Sequence, residues 1–224
     1  MEAVLNNNRE VWNRLHREGY NGYRKPHHFD QRLNFLTRNL PLKCLDKTKV
    51  LLEIGCGVGH WMEEFAGKVH EVCGVDISRI AIQLGRKRLR HLTNVYFYKT
   101  HGNELRMFNR NTFNLAYSFG CFQHIPRQAT ADYLKETYRV LKVGGYLVFQ
   151  VIYMFDSKRN KQDIGSIKGE TTIGYDQQQI TNMVHAANLS LMSITRQNLT
   201  IKAKDRAAWL WTVCKKGKLQ TDEN

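Results

Sequence analysis

Three closely spaced glycines and one acidic residue are the features of this sequence best suited to hold a ligand. Gly55, Gly57 and Gly59 follow the apolar run 49–54, and Asp76 stands 21 residues after Gly55. Glycine lets the backbone turn tightly and lets a ligand come within contact distance, because no Cβ is in the way. A carboxylate at this spacing accepts hydrogen bonds from both hydroxyls of an unphosphorylated ribose. The spacing therefore predicts a site for a ligand that contains a nucleoside.

Two ligands of this kind, a nicotinamide dinucleotide and S-adenosylmethionine, make different demands on the loop. Dinucleotides are typically bound by G-x-G-x-x-G, whereas Gly59 comes one residue early and gives G-x-G-x-G. A pyrophosphate needs an accessible helix N-terminus, but S-adenosylmethionine has no phosphate and ends in a zwitterionic amino acid. Glu53, two residues before Gly55, suits a cationic ligand better than a pyrophosphate. The pattern favours S-adenosylmethionine over NAD and adds Glu53 to the predicted cofactor site.

Several segments, taken in order, resemble the motifs of class I S-adenosylmethionine-dependent methyltransferases, especially the group that acts on small molecules. The segments are 50–59, 72–78, 113–119, 122–126 and 138–147. Together they cover roughly residues 48–153. The resemblance implies a Rossmann-like fold, S-adenosylmethionine as the cofactor and methyl transfer as the reaction.

The resemblance also implies which residues contact the methionine part of the cofactor. Gly55, Cys56 and Gly57 would line it. Ser118 and Phe119 would meet its amino group through their backbone.

At the nucleoside end, the resemblance is less complete. It implies that Asp76 holds the ribose and that Ile77 packs on the adenine. After the third strand, however, the family usually has Gly-Asp, and this sequence has Gly102-Asn103. The amide oxygen of Asn103 can still accept a hydrogen bond from the adenine amine, although without a charge. We therefore predict an adenine contact at Gly102 and Asn103.

Candidates for the chemistry itself follow the fourth and fifth predicted strands. His124 is the candidate general base, because histidine exchanges protons near neutral pH; packing against the following helix is the alternative role. Direct methyl transfer requires a base only where the acceptor arrives protonated. Tyr153 and Tyr175 are predicted to line the acceptor site together with His124, although aromatic residues beside a strand end also serve as plain packing.

Aromatic residues in the leader could close over the site. Trp12, Tyr20 and Tyr23 precede the sheet, and an aromatic face is favourable beside a sulfonium through cation–π attraction. We predict Trp12 as a cofactor contact and Tyr20 and Tyr23 as substrate contacts. Simple docking of the leader on the sheet remains an equal alternative.

The order of apolar runs predicts the fold. Strand-like runs alternate with helix-like segments, as in a parallel α/β sheet. The last two strands leave no room for a long helix, which favours an antiparallel pair. We predict an α/β fold, a doubly wound, mostly parallel seven-stranded sheet with an antiparallel C-terminal hairpin, in three α/β/α layers. The predicted strands are 49–54, 71–75, 95–99, 113–118, 146–153, 190–195 and 207–214, and the predicted helices are 60–69, 78–91, 129–141 and 177–187.

The predicted domain organisation is simple. Residues 1–46 form a helical leader or lid, 47–215 form the S-adenosylmethionine-binding methyltransferase domain, and 216–224 form a polar tail. Within the domain, 155–176 is a long polar insert on the substrate side. A connection of this length in a compact domain usually covers or binds something, or is disordered.

Composition limits the environment and the partners. Lysine and arginine (34) outnumber aspartate and glutamate (20), so the formal net charge is +14, which attracts anions. The polar start lacks the apolar stretch of a signal peptide, and no apolar run approaches the roughly 20 residues that span a bilayer. Five cysteines without metal-ligand spacing predict reduced thiols and no metal site. We expect a cytoplasmic protein.

Three functions agree with these observations. The main prediction is methylation of a small-molecule oxygen, nitrogen or sulfur, and the positive charge favours an anionic acceptor. Methylation of RNA or another polyanion is the alternative that the charge favours, although the fourth strand lacks an Asn/Asp-Pro-Pro-Tyr/Phe signature and reads Ser118-Phe119-Gly120-Cys121. A protein that binds S-adenosylmethionine without turnover is the third, because binding residues do not prove catalysis.

Overall fold

The computed structural model describes residues 1–20, 45–154, 163–165, 171–199 and 207–218. Its helices are α1 (Glu2–Arg17), α2 (His60–Ala66), α3 (Arg79–Arg88), α4 (Arg127–Val140) and α5 (Gln177–Ala186). Its strands are β1 (Val50–Ile54), β2 (Glu71–Asp76), β3 (Val95–Lys99), β4 (Phe113–Ser118), β5 (Leu141–Met154), β6 (Asp163–Gly165), β7 (Thr171–Ile173), β8 (Ser190–Leu199) and β9 (Ala207–Lys215).

Seven of these strands form one sheet in the order β3-β2-β1-β4-β5-β9-β8. The first five pair in parallel, and β9 runs antiparallel to both of its neighbours, β5 and β8. Successive strands are added on one side of β1 up to β3 and then on its other side from β4. This change of side is the strand-order switch of a doubly wound sheet. The predicted fold class is confirmed, including the antiparallel hairpin at the end.

The sheet is buried on both faces because its central strands are apolar at consecutive positions, as parallel strands between two helix layers must be. Leu52 of β1 belongs to one core with Leu134 of α4 and with side chains of α5. Leu51 belongs to the other core with Phe65 of α2 and Ile82 of α3. Adjacent residues of one strand thus serve opposite layers, which gives the three-layer arrangement.

Two helices begin at side chains that satisfy free backbone amides. Ser78 precedes α3, and its Oγ accepts a hydrogen bond from the nitrogen of Ala81 at 3.1 Å. Asp176 and Gln179 form a capping box at the start of α5, and such reciprocal bonds stabilise helix N-termini. Ser78 follows the end of β2, and Asp176 follows the bridge between Gly174 and Ile152. The two caps therefore fix where the chain turns from the sheet into a helix.

The structure differs from the sequence-based boundaries at several elements. Residues 142–145 lie between a predicted helix and a predicted strand, but β5 already begins at Leu141, and its register with β4 shifts between Phe113 and Leu115. The strands β6 and β7 pair with each other inside the segment predicted as an insert. In the described residues, no helix is long and apolar enough to cross a membrane.

Candidate functional site

A cavity of about 280 Å³ lies where the chain leaves the carboxyl ends of β1, β2 and β4. This edge of an open α/β sheet, beside the strand-order switch, is the usual place for a ligand. Eleven residues predicted from the sequence line the cavity. They are Trp12, Tyr20, Glu53, Gly55, Cys56, Gly57, Asp76, Ile77, Gly102, Phe119 and His124.

Gly55 can only be glycine because the exit loop of β4 lies directly against it. Its backbone has φ +75°, and a Cβ built there would stand 2.4 Å from Cβ of Cys121. Both the left-handed conformation and the contact exclude a side chain. Gly55 also donates its backbone hydrogen bond to the carbonyl of Val75 at 2.9 Å. The loop after β1 is therefore held between β2 and the exit of β4, and its backbone lines the cavity.

The third glycine has a different role. Gly59 has φ +82° and precedes α2, and a Cβ there would stand 2.6 Å from Cζ of Phe97 on β3. Gly59 does not line the cavity, whereas its neighbours Val58 and His60 do. The early third glycine thus allows close packing between the helix start and the sheet.

Asp76 ends β2 with its carboxylate at the cavity. Its Oδ2 accepts a hydrogen bond from the nitrogen of Gly57 at 2.8 Å, and its Oδ1 accepts one from the nitrogen of Ser78 at 2.8 Å. The side chain is buried, with 8% of the residue exposed. Because each carboxylate oxygen has two lone pairs, both oxygens retain capacity for a ribose hydroxyl. The two backbone bonds fix the orientation of the carboxylate before any ligand arrives.

Glu53 lies on β1 beneath the loop and is nearly inaccessible, at 2% exposure. Burial raises the pKa of its carboxyl well above the usual range, and the nearby charge of Asp76 raises it further. A hydrogen bond from the Tyr117 hydroxyl, at 3.3 Å, acts in the opposite direction. A cationic group in the cavity would favour the ionised carboxylate. Glu53 is therefore suited to a positively charged ligand group.

Two cysteines share the cavity, and neither has the character of a nucleophile. Burial raises the pKa of the Cys56 thiol well above its usual value and that of Cys121 to about 12. The thiolate is the reactive form of cysteine. The two side chains therefore line the cavity as small apolar surfaces.

Helix α1 crosses the open end of the cavity and is fastened at two points. The side-chain nitrogen of Asn8 donates to the carbonyl of His124 at 3.1 Å, and Oδ1 of Asn13 accepts from the Ser78 hydroxyl at 3.0 Å. These bonds join the helix to the exit loops of β4 and β2. The helix therefore covers the site and docks on the sheet at the same time, so the two roles considered for the leader are compatible.

Four rings form a cluster on the inner side of this helix. The ring centroid of Trp12 lies 5.3 Å from that of His124, 5.6 Å from that of Tyr20 and 5.9 Å from that of His16. His16 also contacts the Trp12 carbonyl through Nδ1 at 2.8 Å. His16 was missed from the sequence, although its spacing of four from Trp12 places both residues on one helix face.

At the predicted adenine end of the site, one of the two predicted residues lines the cavity and the other does not. Gly102 lines the cavity with φ +106°, and a Cβ there would stand 2.7 Å from Cδ1 of Ile77. Asn103 does not line the cavity, and its side-chain nitrogen donates to Oδ2 of Asp132 at 3.1 Å. Ile77 and Gly102 are in contact and form one surface against which a flat ring could lie, whereas the Asn103 amide is engaged elsewhere.

Three other predicted residues lie away from the cavity lining. The Ser118 hydroxyl donates to the carbonyl of Ile54 at 2.9 Å inside the sheet. Tyr175 is 1% exposed, and its hydroxyl donates to the carbonyl of Phe122 at 3.3 Å. Tyr153 is half-buried with the Arg196 guanidinium 5.2 Å from its ring centroid. Tyr23 lies outside the described residues.

Several residues of the lining carried no prediction. They are His16, Val58, His60, Trp61, Gly120, Cys121, Gln123, Ile125, Tyr133 and Trp209. Four of them, Val58, Gly120, Gln123 and Ile125, directly adjoin predicted residues, and that adjacency is the signal that could have found them. Trp209 and Trp211 lie two residues apart on β9; Trp211 is buried in the core, and Trp209 reaches the cavity.

A basic groove adjoins the cavity and shares four of its residues. It has a volume of about 690 Å³ and lies between the end of α1, the start of α2 and the end of α3. No aspartate or glutamate is among the described residues that line it. The lining consists of His16, Gly19, Tyr20, Val58, His60, Leu84, Lys87, Arg88, Arg90 and His91. Part of the excess positive charge is therefore concentrated beside the candidate site. Among the described residues, no group of three or more His, Cys, Asp or Glu side chains could hold a metal ion.

Comparison with known proteins finds similarities to the central segment. Residues 51–145 match the family model described as a methyltransferase domain. A similar curated protein, the demethylmenaquinone methyltransferase of Geobacillus sp. (strain WCH70), is 36% identical over 111 residues, which are 46% of this chain and 45% of that protein. The chain thus spans less than half the length of that relative.

Solved structures are similar over more of the chain. The DhpI complex with SAH has a TM-score of 0.70 at 15% identity, over 97% of this chain and 99% of that one. Geranyl diphosphate methyltransferase in complex with GPP and sinefungin has a TM-score of 0.66 at 16% identity, over 84% and 77%. At these identities the similarity establishes the fold, and it agrees with the sheet order described above.

Proposed function

We propose that the chain transfers a methyl group from S-adenosylmethionine to an oxygen, nitrogen or sulfur of a small molecule. The match of residues 51–145 to a methyltransferase-domain model supports this proposal. The observation that carries this proposal is the convergence of Glu53, the Gly55–Gly57 backbone and Asp76 on one cavity. Glu53 suits the amino group of the methionine end, and Asp76 suits the ribose. The glycine backbone between them leaves room for the ligand. The predicted resemblance to class I methyltransferases rests on the same residues.

In this proposal, different cavity residues contact different parts of the cofactor. Asp76 would hold the ribose, the adenine would lie against the joint surface of Ile77 and Gly102, and Glu53 would neutralise the amino group. S-adenosylmethionine supplies an electrophilic methyl group on a sulfonium. The ring of Trp12 covers the same cavity, and an aromatic face attracts a cation.

The protein's contribution to the reaction is mainly placement. Holding two reactants in line can remove roughly 7–11 kcal/mol of a barrier at best. Helix α1 and the exit loop of β4 enclose the cavity and limit water, and His124 stands where both meet. We propose His124 as the base that removes a proton from an acceptor, and Tyr20 as an acceptor contact.

A small acceptor is supported by the covered site. The fastened helix leaves a cavity of about 280 Å³, near the lower end of the usual range for small-molecule sites, roughly 300–1,000 Å³. The matched relative from Geobacillus is named for demethylmenaquinone, a small molecule. The four described cysteines are free, which fits the reducing cytoplasm.

A polyanionic acceptor, RNA above all, is the second candidate, and the basic groove is the observation that favours it. Lys87, Arg90 and His91 line the groove and are exposed. RNA binding through such residues should weaken steeply with salt. Replacing all three with glutamine should abolish RNA binding at low salt, whereas Lys135→Gln, at an exposed position of α4, should not. If the wild-type chain does not bind RNA at low salt, this candidate is removed.

Two measurements test the main proposal. Calorimetry should show S-adenosylmethionine and S-adenosylhomocysteine binding at micromolar concentrations, and binding of neither would contradict it. A labelled-methyl screen over metabolite pools and RNA should then yield a labelled small molecule. A chain that binds both cofactors and labels nothing in either pool would instead be a binding protein without turnover.

A further inference from the structure

Gln123 combines burial, an unsatisfied polar atom and a place in the cavity. It lies in the short 3-10 helix Phe122–His124 that follows β4, lines the cavity and is 4% exposed. Its side-chain Oε1 has no hydrogen-bond partner within the described parts of the chain. Buried polar atoms in native proteins nearly always have a partner. An isolated acceptor in a ligand cavity therefore indicates that a donor is supplied by what binds there.

The polar groups around this short helix are already engaged with one another. The Tyr133 hydroxyl, which also lines the cavity, donates to Oγ1 of Thr100 at 3.3 Å. The backbone nitrogen of His124 donates to the carbonyl of Cys121 at 2.8 Å, and the side-chain nitrogen of Asn8 is used on the His124 carbonyl. These three groups are thus engaged with other protein atoms, and none of their bonds uses Oε1 of Gln123, which leaves that oxygen for a ligand donor.

Other buried polar atoms without a partner do not make the same case. Thr137, Gln150 and Thr212 each carry one or more such atoms, but none of them lines the cavity. Gln123 differs because its unsatisfied atom belongs to a residue of the ligand cavity, on the loop that also carries His124. Ile125, Tyr133 and Trp209 give the same cavity apolar walls.

We propose that Gln123 binds the methyl acceptor, its amide oxygen accepting a hydrogen bond from an O–H or N–H of that molecule. This inference rests on the proposed function and narrows it. The acceptor class becomes a hydroxyl or amine compound with an apolar skeleton, in place of any oxygen, nitrogen or sulfur nucleophile. A thioether or a tertiary amine has no hydrogen to offer the amide oxygen.

The role of Gln123 is to hold the acceptor. In the transfer, a bond forms between the acceptor oxygen or nitrogen and the methyl carbon, the carbon–sulfur bond breaks, and its electron pair stays on sulfur. The proton of the acceptor leaves to His124 or to water; in a hydroxyl acceptor, which has a single hydrogen, that hydrogen turns from Gln123 to the base as the new bond forms. An amide oxygen is too weak a base to take that proton, so Gln123 orients the nucleophile without being altered.

A matched pair of probes tests this without turnover. Phenol and anisole have similar rings, but only phenol has an O–H donor. In the presence of S-adenosylhomocysteine, phenol should bind the wild-type chain about five- to tenfold more tightly than anisole. Gln123→Met keeps the length of the side chain without its amide and should remove that difference. Gln123→Glu, which retains an acceptor oxygen, should restore a preference for phenol.

The same variants separate binding from folding. Gln123→Met should melt no lower than the wild type, because it removes an unpaired polar group, and should bind S-adenosylhomocysteine with unchanged affinity. Gln128→Met, at an exposed position of α4, is the control and should leave the preference for phenol intact. Equal binding of phenol and anisole to the wild type, or an unchanged preference in Gln123→Met, would overturn the inference. Failure of the wild type to bind S-adenosylhomocysteine would contradict the proposed function instead.

Discussion

The Oδ2 atom of Asp76 accepts a hydrogen bond from the backbone nitrogen of Gly57 at 2.8 Å. The bond connects the end of β2 to the glycine loop after β1, so two parts of the proposed ribose and methionine sites are held by one carboxylate. Binding by Asp76 and the shape of the loop are therefore coupled. A change at Asp76 should affect ligand affinity and loop stability together.

Asp76→Ala should weaken S-adenosylmethionine binding by about 1–3 kcal/mol, the cost of losing hydrogen bonds to a charged group. It should also lower the melting temperature, since the nitrogens of Gly57 and Ser78 lose their partner. Calorimetry and thermal melting measure the two effects. Asp132→Ala removes a carboxylate that does not line the cavity and should leave the affinity unchanged. Wild-type affinity in Asp76→Ala would remove Asp76 from the site.

Glu53 should make cofactor affinity depend on pH. Its pKa is raised by burial, so the carboxyl stays neutral at pH values where an exposed glutamate is ionised. As the pH rises through that raised pKa, the carboxylate forms and attracts the amino group of the cofactor. Affinity for S-adenosylmethionine should therefore increase with pH, and binding below that pKa should release a proton. Calorimetry in buffers of different ionisation enthalpy measures this release.

Glu53→Gln is the matched variant for this effect. It cannot ionise, so its affinity for the cofactor should be lower at high pH and should lose the pH dependence. Without ligand, a raised pKa in the folded state means that the stability contributed by Glu53 is lost as the pH rises through it. The unliganded glutamine variant should then be relatively more stable than the wild type at high pH. Parallel pH profiles for both proteins would refute the role of Glu53.

Gly55→Ala should destabilise the chain by about 2–5 kcal/mol, because the left-handed backbone disfavours a side chain and the new Cβ would overlap Cys121. Cofactor binding should be lost with it. Gly67→Ala is the control, since Gly67 has φ −69° and open space around it, and it should stabilise slightly. Cys121→Gly combined with Gly55→Ala should recover part of the stability. Chemical denaturation measures all three.

His124→Phe should fold and keep the ring contact with Trp12, which lies at 5.3 Å in the wild type. If His124 removes a proton from the acceptor, this variant should lose about 10²–10⁴-fold in kcat. Cofactor affinity should stay near the wild-type value. Full turnover by a stable His124→Phe would assign His124 to packing.

Asn8→Ala should loosen helix α1 from the site, because the buried side chain of Asn8 holds the carbonyl of His124 at 3.1 Å. We expect a loss of about 0.5–1.5 kcal/mol, weaker cofactor binding through faster dissociation, and earlier proteolytic cleavage of the leader. Asn7→Ala changes an exposed neighbour on the same helix and should have no such effect. Equal dissociation rates for the two variants would show that the helix does not cover the ligand.

Local patterns were sufficient to predict the fold and the cofactor class. β3 and β4 begin and end at the predicted residues because each is a short apolar run between polar turns. The strand-loop-helix context of Gly55 and Gly57, followed by Asp76, placed these residues in one cavity, because in a parallel sheet the loops after adjacent strands share one edge. Their roles toward a ligand remain predictions for the experiments above.

Contacts between distant parts of the chain decided the rest. Asn103 bonds to Asp132 on α4, Asn8 to the His124 loop, and Gly59 faces Phe97. Each of these pairings depends on how helices and loops pack on the sheet, which no local spacing encodes. The sequence by itself determined which residues turn, cap and alternate, since these depend on near neighbours. Only the tertiary structure decided that α1 closes the site and that Gln123 is left with a buried acceptor, because both follow from which distant groups are already paired.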